Sequence, residues 1–206
     1  MGFLPAKADT KKQCLFRDFV INPLIEQAKN GLIELFFMDA SHFVMGGFPA
    51  RVWSVIRKFV KTSSGRKRFN VLGALNFVTK KIETITNDSY ITSVQVVEML
   101  EKLVRKYSKH ITVILDNARY QHCDFVKQNA ERLGITLIFL PTYSPNLNLI
   151  ERVWKLVKSK VLAFAYYDNF QLFSSKIRTC VNGLHIKSKD ELSTLITENF
   201  QIIDIA

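Results

Sequence analysis

Two apolar runs that each stop at an aspartate constrain this chain more than any other feature. Ile111-Thr112-Val113-Ile114-Leu115 leads directly into Asp116, and Leu35-Phe36-Phe37-Met38 leads into Asp39. Short apolar runs of this kind read as buried strands, and an acid placed where such a strand stops can face solvent at the sheet edge. Downstream, LPTYSPNLNLIERVWKLVK carries Glu151 just inside the start of a helix, after a loop marked by Pro141 and Pro145; the separation is 151 − 116 = 35 positions. Two strand-end aspartates and one helix-borne glutamate are the donors needed to hold two divalent ions against a phosphodiester. The arrangement points to chemistry on DNA.

The chain around these acids has the size and charge for that chemistry. At 206 residues, 48% hydrophobic and 23% charged, it fits one globular domain. Twenty-nine basic residues against 18 acidic ones give a net charge of +11, which suits a polyanionic partner, although a solvated basic surface is the plain alternative. Cys14, Cys123 and Cys180 are an odd, widely spaced set without C-x-x-C, which argues against a disulfide framework and a structural zinc site and fits a reducing cytosol. No segment approaches the apolar length that spans a bilayer. There is no P-loop, no G-x-G-x-x-G and no G-x-S-x-G, so nucleotide-cofactor and serine-hydrolase readings lack support.

Periodicity organises the rest. Residues 10–29 are expected to be helical, with Leu15, Phe19, Leu24, Ile25 and Ala28 on the apolar face and Pro23 as a kink or interruption. A strand over Leu32 to Met38, a Gly-rich loop over His42 to Pro49, and a second strand over Val52 to Val60 follow. A basic turn (TSSGRKR) leads to a hairpin of Phe69 to Thr79 and Ile82 to Thr86 joined through Lys80-Lys81. Helical spacing marks Thr92 to Tyr107 and residues 122–132, on either side of the strand that ends at Asp116. Ile135 to Leu140 is a further strand, and helices are expected at about 147–162, 169–184 and 188–199. The result is an α/β chain, a mixed sheet flanked by helices.

Each acid taken alone has a structural account. Asp39 and Asp116 could form turns with the next backbone amides. Glu151 could complete a capping box with Asn148, or pair with Lys155 four residues on. On its helix, Ile150, Val153, Trp154, Val157 and Val161 form the buried stripe, which leaves Glu151, Lys155 and Lys158 along the flank, where a carboxylate beside two lysines could place a metal next to a phosphate backbone. Arg66, Lys67 and Arg68 before the hairpin, with Lys155 and Lys158, are candidate DNA contacts, and such basic runs are otherwise solvated faces. Taken together with their flanking residues, the three acids favour a site.

The segments FFMDASHFV, RFNVLGALN, VILDNARYQHC and FLPTYSPNLNLIERVWKLVK resemble the catalytic domain of bacterial insertion-sequence transposases of the mariner superfamily, over about residues 32–162. The resemblance implies a ribonuclease-H-like fold and a DDE triad of Asp39, Asp116 and Glu151 holding two Mg²⁺ ions, or Mn²⁺ in their place. It also implies cleavage at element ends and strand transfer into a TA target, by a homodimer on double-stranded DNA. Three departures stand out. Leu149 occupies the position where the family commonly has Pro before the Ile and Glu. The family's D-N-A-R is often followed by one residue and then His, whereas Tyr120 and Gln121 precede His122 here. Full-length relatives carry a helix-turn-helix DNA-binding region first, and about 31 residues before the first strand are too few for one. End recognition is therefore expected from a separate N-terminal polypeptide or a missing part. The expected location is the cytoplasm, associated with the nucleoid and not with a membrane. Two rival readings remain: a remnant that only binds DNA, and a ribonuclease-H-like nuclease acting on RNA–DNA hybrids.

Overall fold

The computed structural model describes residues 9–46, 67–163 and 165–202. Five strands form one mixed sheet in the order β3-β2-β1-β4-β5. β1 (Ile33–Val44) is central; β2 (Arg68–Asn76) and β3 (Ile82–Asn87) join it as an antiparallel meander, and β4 (His110–Leu115) and β5 (Thr136–Phe139) extend the other side in parallel. Parallel strands are covered on both faces, and this sheet follows that rule. Alternate residues of β1 enter different cores: Phe36 and Met38 pack with Val96, Leu100 and Leu103 of α3 (Ser93–Lys106) and Val126 of α4 (Asp124–Arg132). Phe37 and Phe43 pack on the opposite face with Ile150, Trp154 and Val157 of α5 (Ile150–Val161) and Ile177 of α6 (Phe170–Lys187). The other α-helices among the described residues are α1 (Thr10–Phe16), α2 (Asn22–Lys29) and α7 (Lys189–Leu195). Among the described residues no helix is long and apolar enough to cross a membrane.

Three sequence expectations are corrected. β1 does not stop at Met38. Its pairing with β4 ends at Met38 opposite Leu115, but its antiparallel ladder with β2 continues to Val44. His42 therefore lies in a strand rather than a loop, with Nδ1 2.6 Å from Asn70 Oδ1 on β2, and Asp39 lies within β1 rather than at its end. The N-terminal segment is helical, but Leu15 and Phe19 are 57% and 75% exposed while Gln13 and Ile21 are buried. A π-helical turn over Arg17–Ile21 shifts the phase of the buried stripe, and Pro23 follows it directly, in the first turn of α2. The capping box that would have given Glu151 a purely structural role is absent: α5 starts at Ile150, and its N-cap residue, Leu149, makes no side-chain cap hydrogen bond. The expected strand over Val52 to Val60, most of the basic turn and Arg66 lie outside the described residues.

Candidate active site

Asp39 and Asp116 become neighbours through strand register. Because Met38 is paired with Leu115 in the parallel ladder, the next residue on each chain is an aspartate. Both project to the face covered by α5, since the residues before them, Met38 and Leu115, point into the opposite core. β4 stops there, so a cavity of about 350 Å³ opens over the sheet. It is lined by the three acids and by Asn117, Pro141 to Pro145 and Asn148. Glu151 enters from the first turn of α5, and the structure thus brings Asp39, Asp116 and Glu151 to one cavity.

Two devices seat the helix that carries Glu151. Trp154 is fully buried and lies over Gly73, the β2 residue paired with Asp39. A Cβ on Gly73 would stand 2.7 Å from the Trp154 ring and 2.9 Å from Ile150 Cδ1, so the absent side chain is what lets α5 descend onto the sheet beside Asp39. Asn148, 2% exposed, donates from Nδ2 to the Met38 carbonyl at 3.2 Å and so ties the start of α5 to β1 one residue before Asp39. Neither Gly73 nor Asn148 was assigned a position-setting role from sequence. RFNVLGALN carried the glycine, but its meaning depends on which ring lies above it.

The loop before α5 is held from the other end of the chain. Tyr143 adopts φ 59°, a backbone conformation that bulky side chains rarely take, and its ring is half-exposed at the cavity. Gln13 of α1 grips this loop with both ends of its amide: Nε2 donates to the Tyr143 carbonyl at 3.2 Å, and Oε1 accepts from Asn146 Nδ2 at 2.9 Å.

Burial and mutual repulsion govern the electrostatics. Asp39 is 8% exposed, and its carboxyl is pushed up to about 8 by burial first, then by the charges of Glu151 and Asp116. Asp116 is raised by burial, with the Ala118 N–H, 3.3 Å from Oδ1, opposing the rise. Tyr120, on the turn after β4, is held above the usual phenol range by burial and by the charges of Asp39 and Asp116, which keeps its hydroxyl a donor. Among the described residues no group of three or more His, Cys, Asp or Glu forms a ready-made metal cage. The acids share a cavity, and Asp116 acts on Asp39 through charge rather than a hydrogen bond.

The basic candidates are dispersed. Lys155 is exposed on α5 and, among the described residues, makes no ion pair with Glu151. Lys158 lies 5.8 Å from the Phe43 ring centre and Lys67 5.8 Å from that of Phe170, while Arg68 opens β2, exposed. Lys160 is engaged with Glu191 at 2.7 Å. His122 stays out of the cavity, exposed, with its ring edge-on to Phe139 at 4.4 Å between centres.

A mixed sheet of this order, flanked by helices and carrying acids where the β1–β4 pairing ends, is a ribonuclease-H-like fold. Residues 34–173 match the model of the DDE superfamily endonucleases, more than half of the chain, and the chain belongs to that family. Its fold is similar to that of Mos1 transposase in a pre-cleavage transpososome, with a TM-score of 0.63 and 11% identity over 99% of this chain and 67% of that one. It is likewise similar to Mos1 in a strand transfer complex, with a TM-score of 0.61 and 12% identity over 99% of this chain and 66% of that one. The chain thus spans about two thirds of the length of those proteins. No curated protein matches it in sequence.

Proposed function

We infer that this chain is the metal-dependent catalytic domain of a DNA transposase, which cleaves phosphodiesters at transposon ends and joins the resulting 3′-hydroxyls to target DNA. The observation that carries the reading is the cavity in which Asp39, Asp116 and Glu151 meet, in a member of a DDE endonuclease family. The donor set fits hard divalent cations. All three groups are carboxylates, and the buried Asp39 is repelled by the charges of Glu151 and Asp116, a repulsion that cations held between the acids would offset. Mos1 paired-end complexes with Mg and with Mn are among the similar structures. Asp39, Asp116 and Glu151 would hold two Mg²⁺ ions, or Mn²⁺, which supply charge at the attacking and leaving oxygens of an in-line displacement.

The remaining groups act on the DNA. Tyr143 and the loop of Pro141 to Pro145 form the cavity wall against which a strand would lie, and Tyr143 offers an aromatic face for a base. Lys155 and Lys158 run along α5 away from Glu151 and would meet phosphates flanking the scissile one. Lys67 and Arg68 lie at the start of β2 and would contact the backbone further along, as would Arg66. A paired arrangement of two chains on DNA, as in the Mos1 paired-end complex, is the assembly this reading expects.

The test is cleavage of labelled duplex DNA by the purified chain, with and without Mg²⁺, beside an RNA–DNA hybrid of the same sequence. Mg²⁺-dependent nicking of the DNA duplex is expected. Preference for the hybrid would favour a ribonuclease-H-like nuclease, and folded protein that binds DNA but cleaves neither would favour an inactive remnant.

A further inference from the structure

Gln121 is fully buried on the turn that follows β4, a place with no apolar reason to hold an amide. The turn is closed by the Ala118 carbonyl, which accepts from the backbone N–H groups of both Gln121 and His122 at 2.9 Å. Turning back in this way sends the Gln121 side chain toward Asp116. With the amide oriented so that every polar atom is satisfied, Nε2 donates to the Asp116 carbonyl at 3.0 Å and to Asp116 Oδ1, and Oε1 accepts from the Tyr120 hydroxyl at 3.0 Å. The opposite orientation would set the amide oxygen against two acceptors, which burial makes costly.

We propose that Gln121 is a positioning residue for Asp116, holding its carboxylate in the rotation that presents Oδ2 to a divalent cation. Two donors end on Oδ1, the Ala118 N–H and Gln121 Nε2. Among the described residues no hydrogen bond ends on Oδ2. Tyr120 completes the chain by donating to the amide oxygen, and hydrogen bonds in series polarise one another. Outer partners of this kind orient metal-binding carboxylates and set their affinity. The position also resolves the spacing after D-N-A-R: Gln121, one residue beyond Tyr120, stands where the related pattern has His, while the chain's own His122 faces outward against Phe139. A neutral amide, which does not titrate, therefore occupies the place of an imidazole. The proposal rests on the metal-site reading of Asp116 given above.

The experiment is a titration of the full chain with Mn²⁺ and Mg²⁺, read by thermal shift and by electron paramagnetic resonance of Mn²⁺, for wild type, Gln121→Met and Asp116→Asn. Gln121→Met keeps the side-chain length and removes the donor. It should weaken metal affinity by roughly 10–100-fold, a loss read separately from the drop in metal-free melting temperature that follows from leaving the Asp116 carbonyl and the Tyr120 hydroxyl without their partner. It should also raise the Mg²⁺ concentration for half-maximal DNA cleavage more than it lowers the rate at saturating Mg²⁺. Tyr120→Phe, which removes only the hydroxyl that feeds Gln121, should give a smaller loss in the same direction and serves if Gln121→Met does not fold. Affinities within about twofold of wild type for the folded variants would overturn the proposal. If Asp116→Asn also leaves metal binding unchanged, the metal-site reading itself falls; if only Asp116→Asn loses it, the failure is confined to Gln121.

Discussion

Asp39 and Asp116 are placed by backbone register, whereas Glu151 reaches the same cavity on a helix held by side-chain packing. The sheet half rests on ladder hydrogen bonds along β1, which is paired on both sides as far as Met38. The helix half rests on Trp154 over Gly73, on one Asn148 hydrogen bond, and on a loop whose strained residue, Tyr143, is gripped by Gln13 from the N-terminal helix. Strand register is digital, because a slip of one residue in either strand would turn its aspartate to the wrong face. Helix seating is continuous, so Glu151 can be displaced by an ångström through changes that touch no acid. Substitutions that unseat α5 should therefore damage the site through Glu151 and leave the aspartate pair in place.

The largest effect expected from breaking this contrast is at Trp154. Trp154→Ala should destabilise the chain by about 3–5 kcal/mol, the usual cost of truncating a buried tryptophan, and should abolish cleavage, measured by denaturant unfolding and nicking. Gly73→Ala is next. Its added methyl meets the Trp154 ring, so overpacking of about 1–3 kcal/mol is expected, with cleavage reduced more than stability. Equal cleavage by the Gly73→Ala variant would show that α5 can lift without moving Glu151.

The sheet half responds in the opposite direction. Asp39 titrates near 8 in the folded chain and near 3.8 when unperturbed. Between those values the unfolded chain has released a proton that the folded chain keeps, so the unfolded state binds fewer protons and metal-free stability falls as pH rises from about 4 to about 8. Asp39→Asn should remove that decline and raise the metal-free melting temperature at pH 8. A gain of 1 kcal/mol corresponds to roughly 2–4 °C for a domain of this size. The same variant should lose Mg²⁺ stabilisation. A melting temperature for wild type that is flat across this range would contradict the buried, repelled carboxyl.

Most of this architecture was legible in the sequence, for reasons the two halves illustrate. The apolar runs before Asp39 and Asp116 marked two strands, which pair in parallel, and the periodicity of α5 correctly placed Ile150, Val153, Trp154, Val157 and Val161 inside. What periodicity could not show was how far β1 runs, because its last residues, Ser41-His42-Phe43-Val44, are held by β2 alone and precede a Gly-Gly pair. Nor could it show the π-helical turn, which shifts the buried stripe away from Leu15 and Phe19 and leaves Gln13 to grip the loop that lines the cavity. Asn148 read as a cap by spacing, but its side chain goes to a carbonyl 110 residues away, a contact no local pattern encodes. Gln121 is hidden for the same reason: its approach to Asp116 depends on the turn closed at the Ala118 carbonyl, which no local pattern encodes.

The smallest expected effect lies on the outer flank of α5. Replacing Lys155 and Lys158 together should weaken DNA binding about equally on all sequences and reduce the salt slope by roughly 2, about one per phosphate contact removed, with melting temperature unchanged. A loss confined to one sequence would show that this flank reads bases rather than phosphates.

The central claim is that Asp39, Asp116 and Glu151 form one divalent-metal site that cuts DNA, and Asp116→Asn tests it most directly. Melting temperature, Mg²⁺-induced stabilisation and nicking of duplex DNA would be measured side by side for this variant and the wild type. The account predicts a variant that folds with an unreduced metal-free melting temperature, gains little stability from Mg²⁺, and produces no nicked product. A folded Asp116→Asn chain that nicks DNA at near the wild-type rate would contradict it.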